Sequence, residues 1–549
     1  MGRPLVEPGG DWDAIRARFR WPRPERFNLA RACCGDWAAA EPDRPGLIFL
    51  RPDGERRVWT HGELWRASGR LANALAARGL SAGDRCGLLL PQTPEALLTH
   101  LACWRLGAVT VPLFTLFGED GLRFRLGDSG AKACVTDAAN LPKLLAIRDD
   151  LPALETLWST DRPADGAWGF WQELAKAKDE AGCADTLAED PAFLSYTSGT
   201  TGPPKGALHA HRVLIGHMPG FETHHDFAPK PGDLMWTPAD WAWLGGLMDA
   251  LLPSLFLGIP VLAHRAPKFD PEAAWDLLAR EGVRNAFMPP TALKMLRQHE
   301  GRSKPALRSV GSGGEALGES LLEWGGGALG VTINEFYGQT ECNLVLGNSS
   351  TVFPPRPGST GRAAPGFEVA VIDSGGAVLP DGEVGEIAVE APNPSLFLEY
   401  RGKPEKTAET FVTGPDGRRW LRTGDEGRRE ADGAFFFSSR SDDVITSSGY
   451  RIGPSEIEDC LGRDPAVGLA AVVGLPDDVR GEAVTAFCVL SPGFEGDREA
   501  LAEALKGLVR ERVGAHSAPR RVEFVAELPL TATGKIMRRE VKRRALEGG

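Results

Sequence analysis

Short apolar runs alternate with helix-length segments through most of the chain. Arg85–Leu90 is a short apolar run, Pro94–Gly107 has helical spacing, and Lys132–Thr136 is apolar again. Further short apolar runs follow at Phe193–Thr197, Leu234–Thr237, Val261–His264, Asn285–Met288 and Thr332–Tyr337. Because buried parallel strands are joined by helical crossovers, this pattern predicts an α/β body.

The pattern changes after residue 358. Phe367–Asp373 and Gly385–Glu390 are typical of strands, and turn residues at Ser374–Gly376 and Pro380–Gly382 connect them. This part is predicted to be antiparallel β-sheet. The last hundred residues predict a separate small α+β unit, with strands and one helix at Leu469–Gly474, Ala483–Leu490, Glu499–Val513 (the helix) and Arg521–Glu527.

One stretch, Leu244–Ala263, has the length and apolar character of a membrane span. It contains Asp249, Pro253 and Pro260, so we expect a buried helix followed by a buried strand and no transmembrane segment. Residues 1–30 contain no apolar core of a secretory signal.

Composition narrows the function classes. The 549 residues are 42% hydrophobic and 25% charged, as in ordinary globular proteins, and 66 glycines with 42 prolines predict many ordered turns. A net charge of -12 argues against non-specific nucleic-acid binding. Nine cysteines without C-x-x-C spacing predict a reducing, cytoplasmic location. The histidines at 209, 211, 224 and 225 match no zinc spacing, so we expect loop and helix-surface residues.

The strongest local signal is a loop rich in glycine and hydroxyl residues that follows the apolar run Ala192–Leu194. It reads Tyr196-Thr197-Ser198-Gly199-Thr200-Thr201-Gly202-Pro203-Pro204-Lys205-Gly206. Glycines let several N–H groups point at one anion, and Lys205 adds a positive charge. The composition predicts a phosphate loop, although the spacing is not that of a Walker A motif.

This loop resembles the corresponding loop of the AMP-forming adenylate ligases, the ANL superfamily. The segment Thr237–Gly246 resembles the acyl-pocket region of short- and medium-chain acyl-CoA synthetases, the type to which the chain is most similar. The other motifs follow in the family's order: Gly313-Gly314-Glu315-Ala316, Phe336-Tyr337-Gly338-Gln339-Thr340-Glu341, Trp420-Leu421-Arg422-Thr423-Gly424-Asp425, Arg440-Ser441-Asp442-Asp443, Ser448-Gly449-Tyr450-Arg451-Ile452 and Thr533-Gly534-Lys535-Ile536.

The resemblance implies a domain organisation. Residues 1–441 would form an N-terminal adenylation domain of two α/β subdomains and a distorted antiparallel β-barrel. Residues 442–549 would form a small, mobile α+β lid, with its hinge at Asp442 and the lysine loop near Lys535.

The resemblance also implies the nucleotide site. Its ATP- and AMP-binding residues would be Thr197, Ser198, Gly199, Thr200, Thr201, Gly202, Lys205, Gly314, Glu315, Ala316, Glu335, Phe336, Tyr337, Gly338, Gln339, Thr340, Asp425, Arg440 and Arg451. In this set Tyr337 would present an aromatic face to adenine, and Asp425 would bind the ribose hydroxyls.

The implied catalytic residues are Lys535, Glu341 and Thr197. Lys535 would bridge the substrate carboxylate and the α-phosphate, and Glu341 would hold Mg²⁺. A carboxylate that attacks a phosphate brings two anions together, so charge neutralisation suits the reaction. For the second half-reaction the family resemblance places CoA at Ser448, Gly449 and Arg510.

The acyl pocket is implied at Trp241, Trp243, Leu244, Gly245, Gly313 and Gly338. Acetyl-CoA synthetases carry a tryptophan where this chain has Gly338, which suggests an acyl group longer than acetate, of short-to-medium chain. The alternative is that these glycines serve backbone packing and another residue closes the pocket.

The resulting expectation is an acid–CoA ligase that uses a small carboxylic acid, ATP, CoA and Mg²⁺. The alternative is a free-standing adenylation enzyme that loads a carrier protein with an acyl, aryl or amino acid, for which Asp240 could hold the amine. A homo-oligomer stays open, as does a lysine acetyltransferase or deacetylase acting on Lys535, whose charge acetylation would remove.

Overall fold

The computed structural model describes residues 4–51, 54–161, 165–197, 203–264, 269–299, 304–440, 443, 445–447, 450–477, 480–514, 517–531 and 534–547. At residues 439, 440, 446, 450, 451 and 456 it describes the backbone.

The strands, numbered in chain order, are β1 Pro45–Leu50, β2 Arg56–Thr60, β3 Arg85–Leu89, β4 Val109–Pro112, β5 Ala133–Thr136, β6 Thr156–Ser159, β7 Trp168–Gly169, β8 Pro191–Thr197, β9 Lys205–Ala210, β10 Met235–Trp236, β11 Val261–His264, β12 Asn285–Phe287, β13 Ser309–Ser312, β14 Ile333–Gln339, β15 Asn343–Gly347, β16 Arg362–Ala363, β17 Val369–Ile372, β18 Val384–Ala391, β19 Glu399–Tyr400, β20 Phe411–Thr413, β21 Arg419–Arg429, β22 Phe435–Arg440, β23 Ile445–Ser447, β24 Tyr450–Ile452, β25 Val467–Asp477, β26 Gly481–Leu490 and β27 Arg521–Phe524.

The α-helices are α1 Trp12–Arg18, α2 Asp36–Ala40, α3 His61–Ala77, α4 Pro94–Leu106, α5 Glu119–Ser129, α6 Leu141–Ala146, α7 Phe170–Lys176, α8 Val213–His224, α9 Leu244–Gly246, α10 Leu252–Phe256, α11 Pro271–Arg280, α12 Pro290–Gln298, α13 Glu319–Trp324, α14 Pro404–Glu409, α15 Pro454–Leu461, α16 Arg498–Arg512 and α17 Arg538–Glu547. Helical turns of other pitch lie at Arg31–Gly35, Arg148–Asp150, Leu247–Leu251 and Gly325–Leu329.

Two large sheets form the α/β body, as the apolar alternation predicts. One has eight strands in the order β19-β9-β8-β4-β3-β5-β6-β7, and the other has nine in the order β16-β15-β14-β13-β12-β10-β11-β1-β2. Strands in the middle of both sheets are parallel, while β2, β9, β15, β16 and β19 pair antiparallel. The α/β fold class is therefore confirmed, with antiparallel edges that the pattern did not predict.

Helix α4 shows why the crossovers form where they do. Pro94 occupies its first turn, where a missing N–H costs nothing, and Gly107 ends it at φ 71°, which a glycine adopts without strain. Its residues are buried nearly all round, and the indole of Trp104 donates to the Ala192 carbonyl oxygen of β8 at 2.8 Å. The helix is thus a core element between layers rather than an amphipathic surface helix.

Two smaller sheets follow along the chain. Strands β17, β18, β21, β20 and β22 form an antiparallel sheet, as predicted from the turn residues. Strands β24, β23, β26, β25 and β27 form the last sheet, in which β27 runs parallel to β26. Helices α15, α16 and α17 accompany this last sheet, which makes the C-terminal unit α+β.

The apolar stretch that imitates a membrane span is a buried helical segment followed by β11, as expected. Among the described residues no helix has both the length and the apolar character needed to cross a bilayer. None of the nine cysteines, all of which lie in the described residues, forms a disulfide bond, and eight of them are buried.

The prediction that four histidines lie on loops and helix surfaces is wrong. His209, His211, His224 and His225 are fully buried rather than on loops or helix surfaces. Burial lowers the pKa of His209 and His224 to about 3, so both rings are neutral at physiological pH. Within the described ranges no group of three His, Cys, Asp or Glu side chains is placed to hold a metal ion.

Helix α8 packs against the neighbouring backbone through a glycine. A Cβ at Gly216 would lie 2.2 Å from the Ser395 nitrogen, which is closer than real contacts allow. By contrast, a Cβ at Gly507 in α16 would meet nothing within 4 Å. Close packing therefore excludes a side chain at Gly216, whereas at Gly507 helix propensity alone determines the effect of a substitution.

We predict opposite effects for alanine at these two positions. Gly216→Ala should lower the thermal unfolding midpoint because the added methyl group separates α8 from Ser395. Gly507→Ala should leave it unchanged or raise it, since alanine favours a helix by about 1 kcal/mol over glycine. Thermal unfolding followed by circular dichroism measures both, and equal behaviour of the two variants would contradict the packing described here.

Candidate active site

The phosphate loop connects β8 to β9. Thr197 ends β8 and Lys205 begins β9, and the two residues are paired across an antiparallel hairpin. The Thr197 hydroxyl lies 3.4 Å from the Lys205 carbonyl oxygen. Five residues of the predicted loop lie outside the described residues: Ser198, Gly199, Thr200, Thr201 and Gly202.

Glu341 and Lys205 both contact the side chain of Tyr400. The Tyr400 hydroxyl donates to Glu341 Oε1 at 2.5 Å. Lys205 Nζ lies 4.5 Å from the centroid of the same phenol ring, a cation–π arrangement. One buried phenol therefore contacts a carboxylate and an ammonium group that come from different parts of the chain.

The environment of Glu341 fits a hard cation. Its second carboxylate oxygen, Oε2, accepts no hydrogen bond from any described residue. Carboxylate and hydroxyl oxygens are the ligands that Mg²⁺ prefers, and it usually completes its shell with water and substrate phosphate oxygens. Glu341, together with the Thr197 hydroxyl at the start of the phosphate loop, supplies such donors.

Asp425 is oriented by two side chains of β14. The Tyr337 hydroxyl and the Gln339 amide nitrogen both donate to Asp425 Oδ2 at 2.6 Å. Burial and the neighbouring Asp425 charge raise the pKa of Tyr337, so it stays a neutral donor. Across β21 and β22 the backbone of Asp425 pairs with that of Arg440. The structure thus brings together four of the predicted nucleotide-binding residues, with Arg440 described by its backbone.

The predicted adenine loop turns away from β13 at Gly314, whose φ of 92° favours glycine. Glu315 accepts a hydrogen bond from the Thr291 hydroxyl at 2.9 Å. Burial raises the pKa of Glu315, with the positive charges of Lys294 and Lys535 opposing the rise. Ala316 is exposed at the tip of the loop.

Glu335 lies on β14 beneath this loop and is buried. Its Oε1 accepts a hydrogen bond from the Leu317 amide at 3.2 Å, which lowers the pKa of Glu335. Burial has the larger effect and raises this pKa to about 8. The charge of Asp459, from the C-terminal unit, adds to the rise. Glu335 is therefore a neutral carboxylic acid at physiological pH.

Lys535 reaches this site from the C-terminal unit. Its Nζ lies 5.7 Å from the centroid of the Trp243 ring, and its Cε would be 3.4 Å from a Cβ at Gly314. The Thr291 hydroxyl, which binds Glu315, also lies 3.4 Å from the Gly534 carbonyl oxygen. The lysine loop consequently contacts both the predicted acyl pocket and the predicted adenine loop.

A second contact joins the C-terminal unit to the body. Arg463 of the C-terminal unit forms a 2.8 Å ion pair with Glu319 of α13. Beside it, Asp459 Oδ1 occupies the space of a Cβ at Gly318, only 2.0 Å from that position. Both contacts hold the C-terminal unit where Lys535 faces the site.

The predicted pocket residues cluster around aromatic rings. Trp241 and Leu244 are buried, and Trp243 is half-buried. A Cβ at Gly245 would be 2.8 Å from the Trp243 ring, and a Cβ at Gly313 would be 2.6 Å from the Phe336 ring. The space left by these two glycines is therefore occupied by neighbouring rings.

Gly338 requires a correction. A Cβ at this position would lie 1.7 Å from the Asn343 carbonyl oxygen, so no side chain fits between β14 and β15. The expectation that glycine at 338 opens pocket volume is wrong, and the backbone-packing alternative holds at this position. The bulky groups at the pocket are Trp243 and Phe336.

The comparisons with known proteins agree with this arrangement. Residues 34–401 match the AMP-binding enzyme family model, and residues 456–535 match the model of the AMP-binding enzyme C-terminal domain. The chain belongs to the AMP-binding enzyme family.

Three relatives show how far the likeness extends. Mouse (Mus musculus) mitochondrial acyl-coenzyme A synthetase ACSM3 is 34% identical over 97% of this chain and 93% of its own length. A crystal structure of Brucella canis acyl-CoA synthetase has a TM-score of 0.75 at 35% identity and covers 98% of this chain and 99% of that one. The anthranilate CoA ligase AuaEII with anthranoyl-AMP has a TM-score of 0.88 at 27% identity, over 96% and 98% of the two chains.

For several residues of this AMP-binding enzyme the functional role stays a prediction. Asp442, Ser448 and Gly449 lie outside the described residues. Arg440 and Arg451 are described by their backbones in β22 and β24. Arg510 is exposed on α16. Phe336 and Thr340 flank the Tyr337–Gln339 segment on β14 and the turn after it.

Asp240 has a structural role in this family member. Its Oδ1 accepts the Ala242 amide at 2.8 Å, as in an Asx turn, and burial raises its pKa to about 6. The structure thus shows a backbone contact for the side chain that the carrier-loading alternative assigns to amine recognition.

Sequence reasoning missed two residues that contact the candidate site. Tyr400 lies on β19, an edge strand that pairs with β9, and Thr291 lies at the start of α12. Neither belongs to a recognisable motif, because each contacts the site through pairing between distant segments. The low tyrosine count, four in the chain, was the one available signal for Tyr400.

We predict that Glu335 makes the stability of this AMP-binding enzyme fall as pH rises. An unfolded glutamate loses its proton near pH 4.3, whereas folded Glu335 keeps it to about pH 8. In that window the unfolded state binds fewer protons, so wild-type stability decreases by about 1.4 kcal/mol per pH unit from this group. Glu335→Gln should remove this contribution.

Urea unfolding of wild type and Glu335→Gln at about pH 5 and about pH 8 measures the difference. The variant should gain stability relative to wild type at the higher pH. Glu323→Gln, on the exposed side of α13, is the matched control and should show the wild-type pH dependence. Parallel profiles for wild type and Glu335→Gln would contradict the prediction.

Proposed function

We propose that this protein is an AMP-forming acid–CoA ligase that converts ATP, a carboxylic acid and CoA into acyl-CoA, AMP and diphosphate through an acyl-adenylate. One observation carries the proposal: Lys535 of the C-terminal unit lies beside both Trp243 and the adenine loop at Gly314. A cation at the junction of an acyl pocket and a nucleotide pocket suits the joining of their two anions. The names of the relatives, acyl-CoA synthetases and CoA ligases, support the same activity.

In the first half-reaction the acid's carboxylate attacks the α-phosphate and diphosphate leaves. Lys535 lowers the repulsion between the carboxylate and the α-phosphate, and Lys205 supplies positive charge at the phosphate loop. The Asp425 carboxylate, oriented by hydrogen bonds from Tyr337 and Gln339, accepts hydrogen bonds from the ribose hydroxyls. Positioning and charge neutralisation are the protein's contributions to phosphoryl chemistry of this kind.

Mg²⁺ is the proposed cofactor, held by Glu341 with the Thr197 hydroxyl. When bound, the ion neutralises phosphate charge and orients the leaving diphosphate. The protein's part is to present an oriented carboxylate beside the phosphate loop.

In the second half-reaction the thiol of CoA attacks the acyl-adenylate. We place the domain boundary at residues 1–441 and 442–549, with Asp442 as the hinge about which the lid turns. The turn would withdraw Lys535 and bring Ser448 and Gly449 to the site, with Arg510 near the nucleotide end of CoA. A conformational gate of this kind separates two reactions at one site.

The proposed acid carries a short-to-medium acyl chain longer than acetate. The side-chain walls are Trp243 and Phe336, whose rings fill the space beside Gly245 and Gly313. A second candidate, transfer of the adenylate to a carrier protein instead of CoA, uses the same first half-reaction. Thioester formation with free CoA distinguishes the two.

We further propose that the protein is located in the reducing cytoplasm and acts in fatty-acid metabolism. We also propose that acetylation of Lys535 regulates its activity. The nine cysteines, none of which forms a disulfide bond, support the reducing location. Acetylation would remove the Lys535 charge that the first half-reaction needs.

We predict that Lys535→Ala separates the two half-reactions. Acid-dependent ATP–diphosphate exchange should fall by about a thousandfold, because the charge between the two anions is lost. Thioester formation from preformed acyl-adenylate and CoA should stay near wild type. Lys406→Ala, an exposed lysine paired with Glu409, is the matched control and should affect neither. Equal loss of both half-reactions would contradict the role of Lys535.

We predict that a series of acids identifies the chain length. AMP release with linear acids from acetate upward should be fastest for a short-to-medium chain rather than acetate. Trp243→Leu should shift the optimum toward bulkier acids, since it removes a ring from the pocket wall, by a few-fold per added methylene. A wild-type optimum at acetate would overturn the chain-length proposal while leaving the ligase activity intact.

A further inference from the structure

Tyr400 connects the two charged groups of the phosphate side of the site. Its hydroxyl donates to Glu341 Oε1 at 2.5 Å, and Lys205 Nζ lies 4.5 Å from its ring centroid. Glu341 follows β14 of the nine-stranded sheet, whereas Lys205 begins β9 of the eight-stranded sheet. One side chain therefore touches a candidate metal-binding group and a candidate phosphate-binding group from different sheets.

The segment around Tyr400 is fixed by backbone hydrogen bonds on both sides. Tyr400 pairs with Ala207 of β9, and the Arg401 amide donates to the Gly206 carbonyl oxygen at 2.9 Å. On the other side the Phe397 amide donates to the Glu341 carbonyl oxygen at 2.9 Å. The phenol is 3% exposed, so its ring and hydroxyl have little freedom.

The same segment also holds the phosphate loop itself. Lys403 Nζ lies 3.3 Å from the Pro204 carbonyl oxygen, and its ammonium group is 3.9 Å from Asp128. The residues 397–403, which we term the clamp segment, thus contact the last part of the phosphate loop and the backbone of Glu341.

We propose that Tyr400 is a positioning residue that orients the Glu341 carboxylate for Mg²⁺ and ties it to Lys205. The inference rests on the proposed function. Its hydroxyl holds Glu341 Oε1, which leaves Oε2, free of hydrogen bonds from described residues, as the oxygen available to the cation. A carboxylate held at one oxygen loses less side-chain entropy when the other binds a metal.

Substitution can separate the contact of Tyr400 with Glu341 from its contact with Lys205. Tyr400→Phe removes the hydroxyl and keeps the ring beneath Lys205. Tyr400→Leu removes both contacts. The comparison assigns each effect to one group.

Isothermal titration calorimetry of the full-length protein with ATP measures the affinity for ATP without catalysis. Titrations in Mg²⁺ and in excess EDTA give the gain in ATP affinity that the metal provides. Tyr400→Phe should reduce the gain in ATP affinity that Mg²⁺ provides by about tenfold, as expected for one hydrogen bond to a charged group. Its ATP affinity in EDTA should match wild type. Tyr400→Leu should also weaken binding in EDTA, by about two- to fivefold, because Lys205 loses its ring contact.

Thr99→Val is the matched control. The Thr99 side chain is buried in α4 and its hydroxyl donates to the Glu95 carbonyl oxygen at 2.7 Å, so this substitution also removes one buried hydrogen bond, at a residue with no predicted role in the site. This variant should keep the wild-type gain from Mg²⁺. Thermal unfolding midpoints of all variants verify that each one is folded before the affinities are compared.

A double-mutant cycle tests whether Tyr400 acts through Glu341. If it does, Tyr400→Phe should cause no further loss of the Mg²⁺ gain in a Glu341→Gln background. A wild-type gain in Tyr400→Phe, an equal loss in Thr99→Val, or additive effects in the cycle would overturn the inference. None of these three results affects the proposed function as long as the wild-type protein shows acid-dependent ATP–diphosphate exchange. If the wild-type protein shows neither this exchange nor a gain in ATP affinity from Mg²⁺, both proposals are overturned.

Discussion

Repulsion between two anions is the constraint on which the site depends. A carboxylate has to approach a triphosphate, and like charges at contact distance resist this unless positive groups lie between them. In the proposed reaction those groups come from separate places: Lys205 from the edge of one sheet and Lys535 from the C-terminal unit. Tyr400 contacts Lys205, and the Arg463–Glu319 ion pair joins the C-terminal unit to the body.

Close backbone approach is the second theme of the molecule. Gly338 allows β14 to come within van der Waals distance of Asn343, and Gly318 leaves room for Asp459 of the C-terminal unit. Gly314 adopts a positive φ at the turn next to Lys535. At Gly338 and Gly318 a Cβ would separate segments that lie in contact, and at Gly314 it would strain the backbone.

Burial of polar groups sets the protonation states around the site. Glu335 lies beneath the adenine loop as a neutral acid, and His224 stacks on Phe336 as a neutral imidazole, because desolvation disfavours the charged forms. The candidate site therefore combines a few charged groups with buried polar groups that are neutral.

The sequence by itself determined the α/β alternation, the antiparallel part, the small C-terminal unit and the positions of the nucleotide motifs. These follow from local properties: apolar periodicity, turn residues and the chemistry of short loops. The tertiary structure decided why Gly338 is a glycine, where the histidines lie, and that Tyr400 meets Glu341. Such contacts depend on strand order and register between segments far apart in the chain, as between β9 and β19, and local sequence carries no measure of that pairing.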